Sequence, residues 1–246
     1  MKHIFHVHTY RCKHASEELD EEYIKMALSF GAEKITFTDH CPFPENPFKN
    51  RMDMKQISEY IYSLHHLHEK YQEQIKIEIG LEVEFLPSMI KSYEELKHLN
   101  LNPLIIGQHF YQHPNGSFSF NDEDKSDEFI GCCNAMIEGM KTGLFNTVAH
   151  PDRFFRRCKQ WTAEMTDISN ELIATASQNN IILEKNLASY EKLVEKSNYI
   201  YWRSEFWNLV DQYNCDTSKP VNTIIGFDAH STEQMKKRMD YIKLIK

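Results

Sequence analysis

No apolar run in this chain approaches the roughly 20 residues that a membrane-spanning helix needs. A G-x-x-x-x-G-K phosphate loop is missing, so nucleotide-driven transfer is not indicated. There is no G-x-S-x-G elbow either. Basic residues are in deficit: 28 Lys and Arg face 36 Asp and Glu, for a net charge of -8. That balance argues against a nucleic-acid partner held by a basic face. The six cysteines, Cys12, Cys41, Cys132, Cys133, Cys158 and Cys215, include no C-x-x-C pair. Their spacing fits neither a zinc ribbon nor a disulfide framework, and they read as reduced thiols of a cytoplasmic protein. Met1-Lys2-His3-Ile4 runs straight into a strand, with no signal peptide visible.

What remains is enough for one substantial core: 246 residues, 41% hydrophobic and 26% charged. Strand and helix signals alternate throughout. Strands are predicted at 4–8, 35–39, 75–85, 104–109, 145–150, 181–186 and 223–228. Helices are predicted at about 16–30, 54–74, 88–98, 124–142, 163–179 and 204–213, with a last one capped by Ser231. Pro42, Pro44 and Pro47 mark a loop, and Pro114-Asn115-Gly116 centres a polar loop or hairpin-like excursion. The alternation predicts an α/β protein, a parallel sheet with helices outside, in a single domain spanning 1–246. A (β/α)7 barrel explains the polar residues better than an open sheet. They sit at the carboxyl ends of the strands, and a barrel gathers those ends at one rim.

Strand one ends in His6-Val7-His8, and side chains two apart share a side. Two imidazoles leaving one strand end are a chelating pair. His14 follows in the next loop. Strand two gives Asp39-His40, strand three Glu82, strand four His109, strand five His150, and strand seven Asp228 with His230 beyond it. Seven of the 13 histidines fall in these places, which a scattered distribution would not produce. The other six, His3, His65, His66, His68, His98 and His113, are assigned to helix surfaces or loops. Taken one at a time, a strand-end histidine is more often structural than a ligand, and Asp39 or Asp228 could cap the next helix. Together they predict a cluster of divalent metals, zinc, manganese or iron, a device for hydrolysis. Cys12 and Cys41 lie beside proposed ligands, with room for a minor metal role.

The set His6-x-His8, His14, Asp39-His40, Glu82, His109, His150-Pro-Asp-Arg and Asp228-x-His230 resembles the PHP (polymerase and histidinol phosphatase) superfamily, most closely its histidinol-phosphatase branch. The resemblance runs through essentially the whole chain, in order. It implies a distorted, TIM-like seven-stranded (β/α) barrel holding two or three metals. On that likeness His6, His8, Glu82 and Asp228 hold one ion. Glu82 bridges to a second with His109 and His150, and His14, His40 and His230 hold the third. The implied reaction is hydrolysis of a phosphate ester by a metal-bound hydroxide, with Glu82 and Asp228 the catalytic carboxylates and Asp228 a possible proton relay.

Independent support for an anionic substrate comes from Arg153, Arg156 and Arg157 after His150, because guanidinium forks suit phosphate oxygens. Arg153 and Arg156 are the predicted substrate contacts. One departure stands out. Where the branch carries an arginine after strand six, this chain has Leu183-Glu184-Lys185-Asn186-Leu187-Ala188-Ser189-Tyr190-Glu191-Lys192, with Glu191 at about that place. An anion there would repel a phosphate unless Lys185 or Lys192 offsets it. The loop after Asn186, with Trp202 and Trp207, is expected to reshape the pocket. The leading reading is a phosphatase of small monoesters, L-histidinol phosphate first, binding neither nucleic acid nor membrane. The rivals are a nuclease-like phosphodiesterase, an amidohydrolase, and a non-catalytic metal-binding domain.

Overall fold

The computed structural model describes residues 2–120, 128–195 and 202–245. Seven parallel strands close into a barrel in chain order: β1 (His3–Val7), β2 (Lys34–His40), β3 (Lys76–Val83), β4 (Leu104–Ile106), β7 (Thr147–Val148), β8 (Ile182–Asn186) and β9 (Thr223–Ala229). β9 pairs back onto β1 through Phe5 and Gly226. The remaining strands, β5 (Phe110–Gln112) and β6 (Phe118–Phe120), form an antiparallel hairpin around Pro114-Asn115-Gly116. The open question of loop or hairpin is therefore decided for the hairpin.

Helices α1 (Asp20–Ser29), α2 (Ile57–Tyr71), α3 (Ile90–His98), α4 (Phe129–Lys141), α5 (Ala163–Gln178), α6 (Leu187–Glu195), α7 (Ser204–Asp216) and α8 (Thr232–Met239) surround the barrel. α2 shows why they pack there. Tyr60, Leu64, Leu67 and Tyr71 recur at helical spacing and are the buried residues of that helix. Thr162 and Ser231 cap α5 and α8 through Met165 N and Gln234 N, as their residue type favours.

Two expectations need correction. α1 begins at Asp20, not Ser16, because the Ser16 hydroxyl bonds Glu18 instead of capping the helix. The stretch after Asn186 is a helix, α6, and not a loop: the Asn186 side-chain oxygen accepts the Ser189 N–H at 2.9 Å and starts the turn. Residues 124–127 of the predicted fourth helix lie outside the described residues.

The core has two parts. The larger lies between barrel and helices and includes Ile4, Val7, Phe37, Leu81 and Phe227. A small plug of Phe5, Ile105 and Ala149, with Ile224 against it, fills the barrel interior. In a regular strand Phe5 and Val7 would share a face. Here Phe5 points inward and Val7 outward, because His6 takes φ 68° and the register shifts across it. That bulge puts the plug residue together with His6 and His8 on the interior side.

Candidate metal centre

Every proposed ligand sits at or just past the carboxyl end of a barrel strand, or in the loop that follows. His6 lies in β1 and His8 just beyond it, His40 closes β2, Glu82 is the penultimate residue of β3, and Asp228 lies in β9. His109 and His150 follow β4 and β7, His230 follows β9, and His14 lies in the loop after β1.

Glu82 is at the middle, 1% exposed. Its Oε2 is 2.7 Å from His40 Nδ1, 3.5 Å from His6 Nε2 and 3.6 Å from His8 Nε2. Its Oε1 is 2.9 Å from His150 Nε2 and 3.6 Å from His109 Nε2. His8 Nε2 is also 3.6 Å from Asp228 Oδ1. The His230 ring stacks on His8 at 4.1 Å, and His14 lies 4.4 Å from His230 and 5.2 Å from His40, centroid to centroid. All nine residues therefore meet in one cluster. Its packing is close: a Cβ on Gly107 would stand 2.0 Å from Glu82 Oε1, so only glycine leaves that carboxylate in place.

Three of the nine have left-handed backbones: His6 at φ 68°, His150 at φ 33° and Asp228 at φ 47°. Each such residue costs about 1–3 kcal/mol, and such strain concentrates where side chains must be aimed.

A group of carboxylates behind the cluster aims the rings. Glu184, fully buried on β8, lies 2.6 Å from His6 Nδ1 and accepts the His150 N–H at 2.9 Å. Asn186 bridges Glu184 Oε2 and Asp228 Oδ2. Glu84 lies 2.6 Å from His109 Nδ1 and 2.5 Å from Arg51 Nη2. Asp39, which the sequence offered beside His40, accepts Thr9 N and Oγ1 at 2.6 Å each and lies within 4.8 Å of a ring nitrogen of His8. Cys12 Sγ lies 3.4 Å from His8 Nδ1 and accepts the His40 N–H at 3.2 Å. Burial raises its thiol well above the usual range.

Strand six was the one strand to which the sequence reading gave no site residue. Glu184 and Asn186 were legible as polar groups two apart at its end, on the pattern used for β1. Arg51 carried no such signal, because it comes from the Pro42–Pro47 loop. Phe48 of that loop stacks on Phe110 of the hairpin at 4.1 Å, which seats Arg51 at the rim.

Buried polar atoms ordinarily have partners. In this cluster His6 Nε2, His8 Nε2, His40 Nδ1, Glu82 Oε2 and His230 Nε2 are buried without a hydrogen bond. Such a set of imidazole and carboxylate donors fits divalent cations. Among the described residues four groups have ligand atoms within 4.8 Å of one another: His6-His8-Asp228, His8-His40-His230, His40-Glu82-His109 and His8-Cys12-Asp39. The first matches one implied ion. The next two share His40 between the implied second and third ions, because Glu82 draws all the rings around a single centre.

Four of the imidazoles are held in the form that ligation needs. Burial, followed by neighbouring positive groups or opposed by Glu82, holds His8, His40 and His109 well below the usual range, and His230 falls to about 4. Those imidazoles are neutral and free to coordinate. His6 goes the other way: burial would lower it, but Glu184 and Glu82 outweigh burial and raise it. Burial would raise Asp228, yet His6 and His230 hold its carboxyl below the usual range.

Beside the cluster opens a cavity of about 380 Å³, lined by His14, His40, His109, Asp228 and His230 and by the cations Arg51, Arg153, Lys192 and Arg238. Arg153 is thus at the pocket. Arg156 is buried and outside this lining. The Arg157 side chain lies outside the described residues. Glu191 does not face the cavity as an unmatched anion. Its carboxylate is bound by Arg238 Nε at 2.7 Å and by Lys237 Nζ at 2.7 Å. Burial would raise the Glu191 carboxyl, but these two cations outweigh it and hold it low. The offsetting cations therefore come from α8. Lys185 instead lies over Trp207, 5.5 Å from the ring centroid. Trp202 and Trp207 stack on each other at 5.1 Å, and Trp207 Nε1 donates to Asp152. It is α6, with Ala188 and Lys192, that shapes the pocket, and not the tryptophans. Of the histidines assigned elsewhere, His3 is on β1, bonded to Thr36 Oγ1 at 2.7 Å, and not on a helix or loop.

Imidazoles and carboxylates converging on the rim of a seven-stranded parallel barrel, beside a cation-lined cavity, define a barrel protein built to hold divalent metals next to an anion. Residues 5–188 match the PHP domain, and the chain belongs to that family. It is 29% identical to the histidinol-phosphatase of Bacillus subtilis over 254 aligned positions, covering 92% of this chain and 92% of the relative. It is 25% identical to a "probable histidinol-phosphatase" of Deinococcus radiodurans, covering 98% and 91%. In fold it resembles the histidinol phosphate phosphatase of Lactococcus lactis, solved with zinc, L-histidinol and phosphate. The TM-score is 0.71 at 18% identity, over 97% of this chain and 92% of that one.

Proposed function

We propose that the chain is a metal-dependent phosphoesterase that hydrolyses a small phosphate monoester, with L-histidinol phosphate the leading substrate, and that residues 1–246 make up this one domain in the cytoplasm. The observation that carries the reading is the set of unpartnered donor atoms around Glu82, two of whose residues, His40 and His230, line a cavity that also has four cationic side chains in its wall. The curated relatives that cover most of the chain bear the same activity in their names. All six cysteines are free, as befits a reducing compartment. Among the described residues no helix is long and apolar enough to cross a membrane.

His6, His8, Glu82 and Asp228 would hold one ion, Glu82 with His109 and His150 a second, and His14, His40 and His230 a third. Bound divalent ions, zinc, manganese or iron, supply acidified water and neutralise phosphate charge. The chain's own groups do the rest. Arg153 binds the phosphate from the pocket wall. Glu184 and Glu84 fix the rings of His6 and His109 and keep their outer nitrogens turned to Glu82. Asp228, which accepts from Asn186 and is held below the usual range by His6 and His230, would serve as a ligand and, from the same place, as the proton relay.

The test is a hydrolysis screen of the manganese-loaded protein over small phosphate monoesters, histidinol phosphate included, with an aryl diester alongside. A kcat/KM for histidinol phosphate above that for the diester supports the reading. A diester hydrolysed far better, or no monoester hydrolysed, rejects it.

A further inference from the structure

Arg238 is an arginine to which the sequence reading gave no part. It sits in the last turn of α8, buried, and yet it lines the cavity together with Asp228 and His230. Its guanidinium is held on two sides. Nε donates to Glu191 Oε2 at 2.7 Å. Nη1 donates to Phe227 O at 2.9 Å and to Asp228 O at 2.5 Å. Among the described residues Nη2 has no partner. A planar fork fixed by three acceptors keeps its remaining donors in one direction, with no rotamer entropy left to lose on binding.

We infer that Arg238, brought from α8 and oriented by Glu191, is the second arginine of the substrate's phosphate site, filling from another element the place that the strand-six segment leaves without an arginine. The inference rests on the phosphatase reading. Glu191 is the positioning residue: its carboxylate fixes Nε. An acid at the position where an arginine was expected therefore recruits a guanidinium instead of repelling the anion. Arg153 and Arg238 then approach the phosphate from separate walls, one from the loop after β7 and the other from α8. A terminal phosphate, with three free oxygens, can accept from both. A diester has fewer oxygens to offer, so the pair also selects for monoesters.

The experiment titrates the manganese-loaded protein with inorganic phosphate in a calorimeter and measures kcat and KM for a small phosphate monoester. Arg238→Lys keeps a cation and a donor for the backbone carbonyls but loses the fork, and it is expected to weaken phosphate binding by roughly tenfold or more. Glu191→Gln should weaken it several-fold, raising KM with kcat little changed. Glu191→Arg should bind phosphate worse than wild type, because it sets like charges beside Arg238 and Lys237. Lys237→Met, which removes an exposed partner that Glu191 shares with Glu195, should stay within about twofold, because Arg238 still holds Glu191 Oε2. Wild-type phosphate affinity in Arg238→Lys, or improved binding in Glu191→Arg, overturns the assignment of Arg238 while leaving the phosphatase reading intact. Wild-type protein that neither binds phosphate nor hydrolyses any monoester overturns both. Arg238→Met, with melting temperature and circular dichroism, separates a lost anion contact from a lost fold: native melting with lost phosphate binding supports the inference, and native melting with retained binding rejects it.

Discussion

The Glu184 carboxylate lies 2.6 Å from Nδ1 of His6. A carboxylate oxygen accepts, so Nδ1 of His6 is the donor of that contact, and the ring is held with Nε2 turned to Glu82. Gly226 makes this possible: a Cβ there would stand 1.6 Å from Glu184 Oε1. Glu184→Gln keeps the shape and removes the charge. It is expected to lower metal affinity by roughly 10- to 100-fold, the range for partners that orient metal-binding histidines. Competition with a chromophoric chelator measures it, and unchanged affinity would show Glu184 to be structural only.

Glu82→Gln should lose metal and activity together. One carboxylate contacts five rings through its two oxygens. Removing its charge leaves neighbouring cations facing each other with less screening. Metal analysis after gel filtration, paired with turnover, checks this; full metal content with near-normal turnover contradicts it.

Gly107→Ala should act on the same carboxylate from behind. The new Cβ meets Glu82 at 2.0 Å, so the side chain must move. Metal content is expected to fall while far-ultraviolet circular dichroism stays native. Native metal content in the alanine variant would mean that the loop yields and Glu82 does not.

Arg153→Ala should raise KM and lower kcat/KM by roughly 10- to 100-fold, the scale of one charged hydrogen bond of about 1.5–3 kcal/mol. The diester rate should fall less. Steady-state kinetics on both esters decides it, and equal losses would place Arg153 away from the phosphate.

His3 gives a pH dependence of stability. Burial first, then nearby Lys34, pushes its imidazole down to about 4. The folded protein keeps His3 neutral while the unfolded chain takes up a proton below about 6.5. Stability from this group is therefore complete above about pH 6.5 and is lost as pH falls toward 4. After discounting for its partial exposure, the loss is at most about 2 kcal/mol. Urea unfolding of wild type and His3→Gln at pH 7 and pH 4.5 tests it: the variant should lose less stability on acidification, and parallel losses would assign the acid sensitivity elsewhere.

The sequence by itself determined the barrel and most of the cluster. Alternating strand and helix signals demand a parallel sheet covered by helices, and polar residues at strand ends have one common destination when that sheet closes. His8, His40, Glu82, His109, His150 and Asp228 could be found this way because each sits at or near the last residue of a strand, where local pattern and position in the fold coincide. Helix α6 was present in the sequence as well, in an asparagine followed by helix formers, but it was masked by the expectation of a loop.

Only the tertiary structure decided what depends on distant parts of the chain meeting. The left-handed His6 that turns Phe5 and Val7 to opposite sides is imposed by packing on both faces of β1, and no spacing encodes it. The partner of Glu191 lies 47 residues away on α8. A carboxylate's effect on a phosphate is set by the nearest cation, and which cation is nearest is a property of closure, because the barrel brings β8 and β9 side by side and folds α6 against α8.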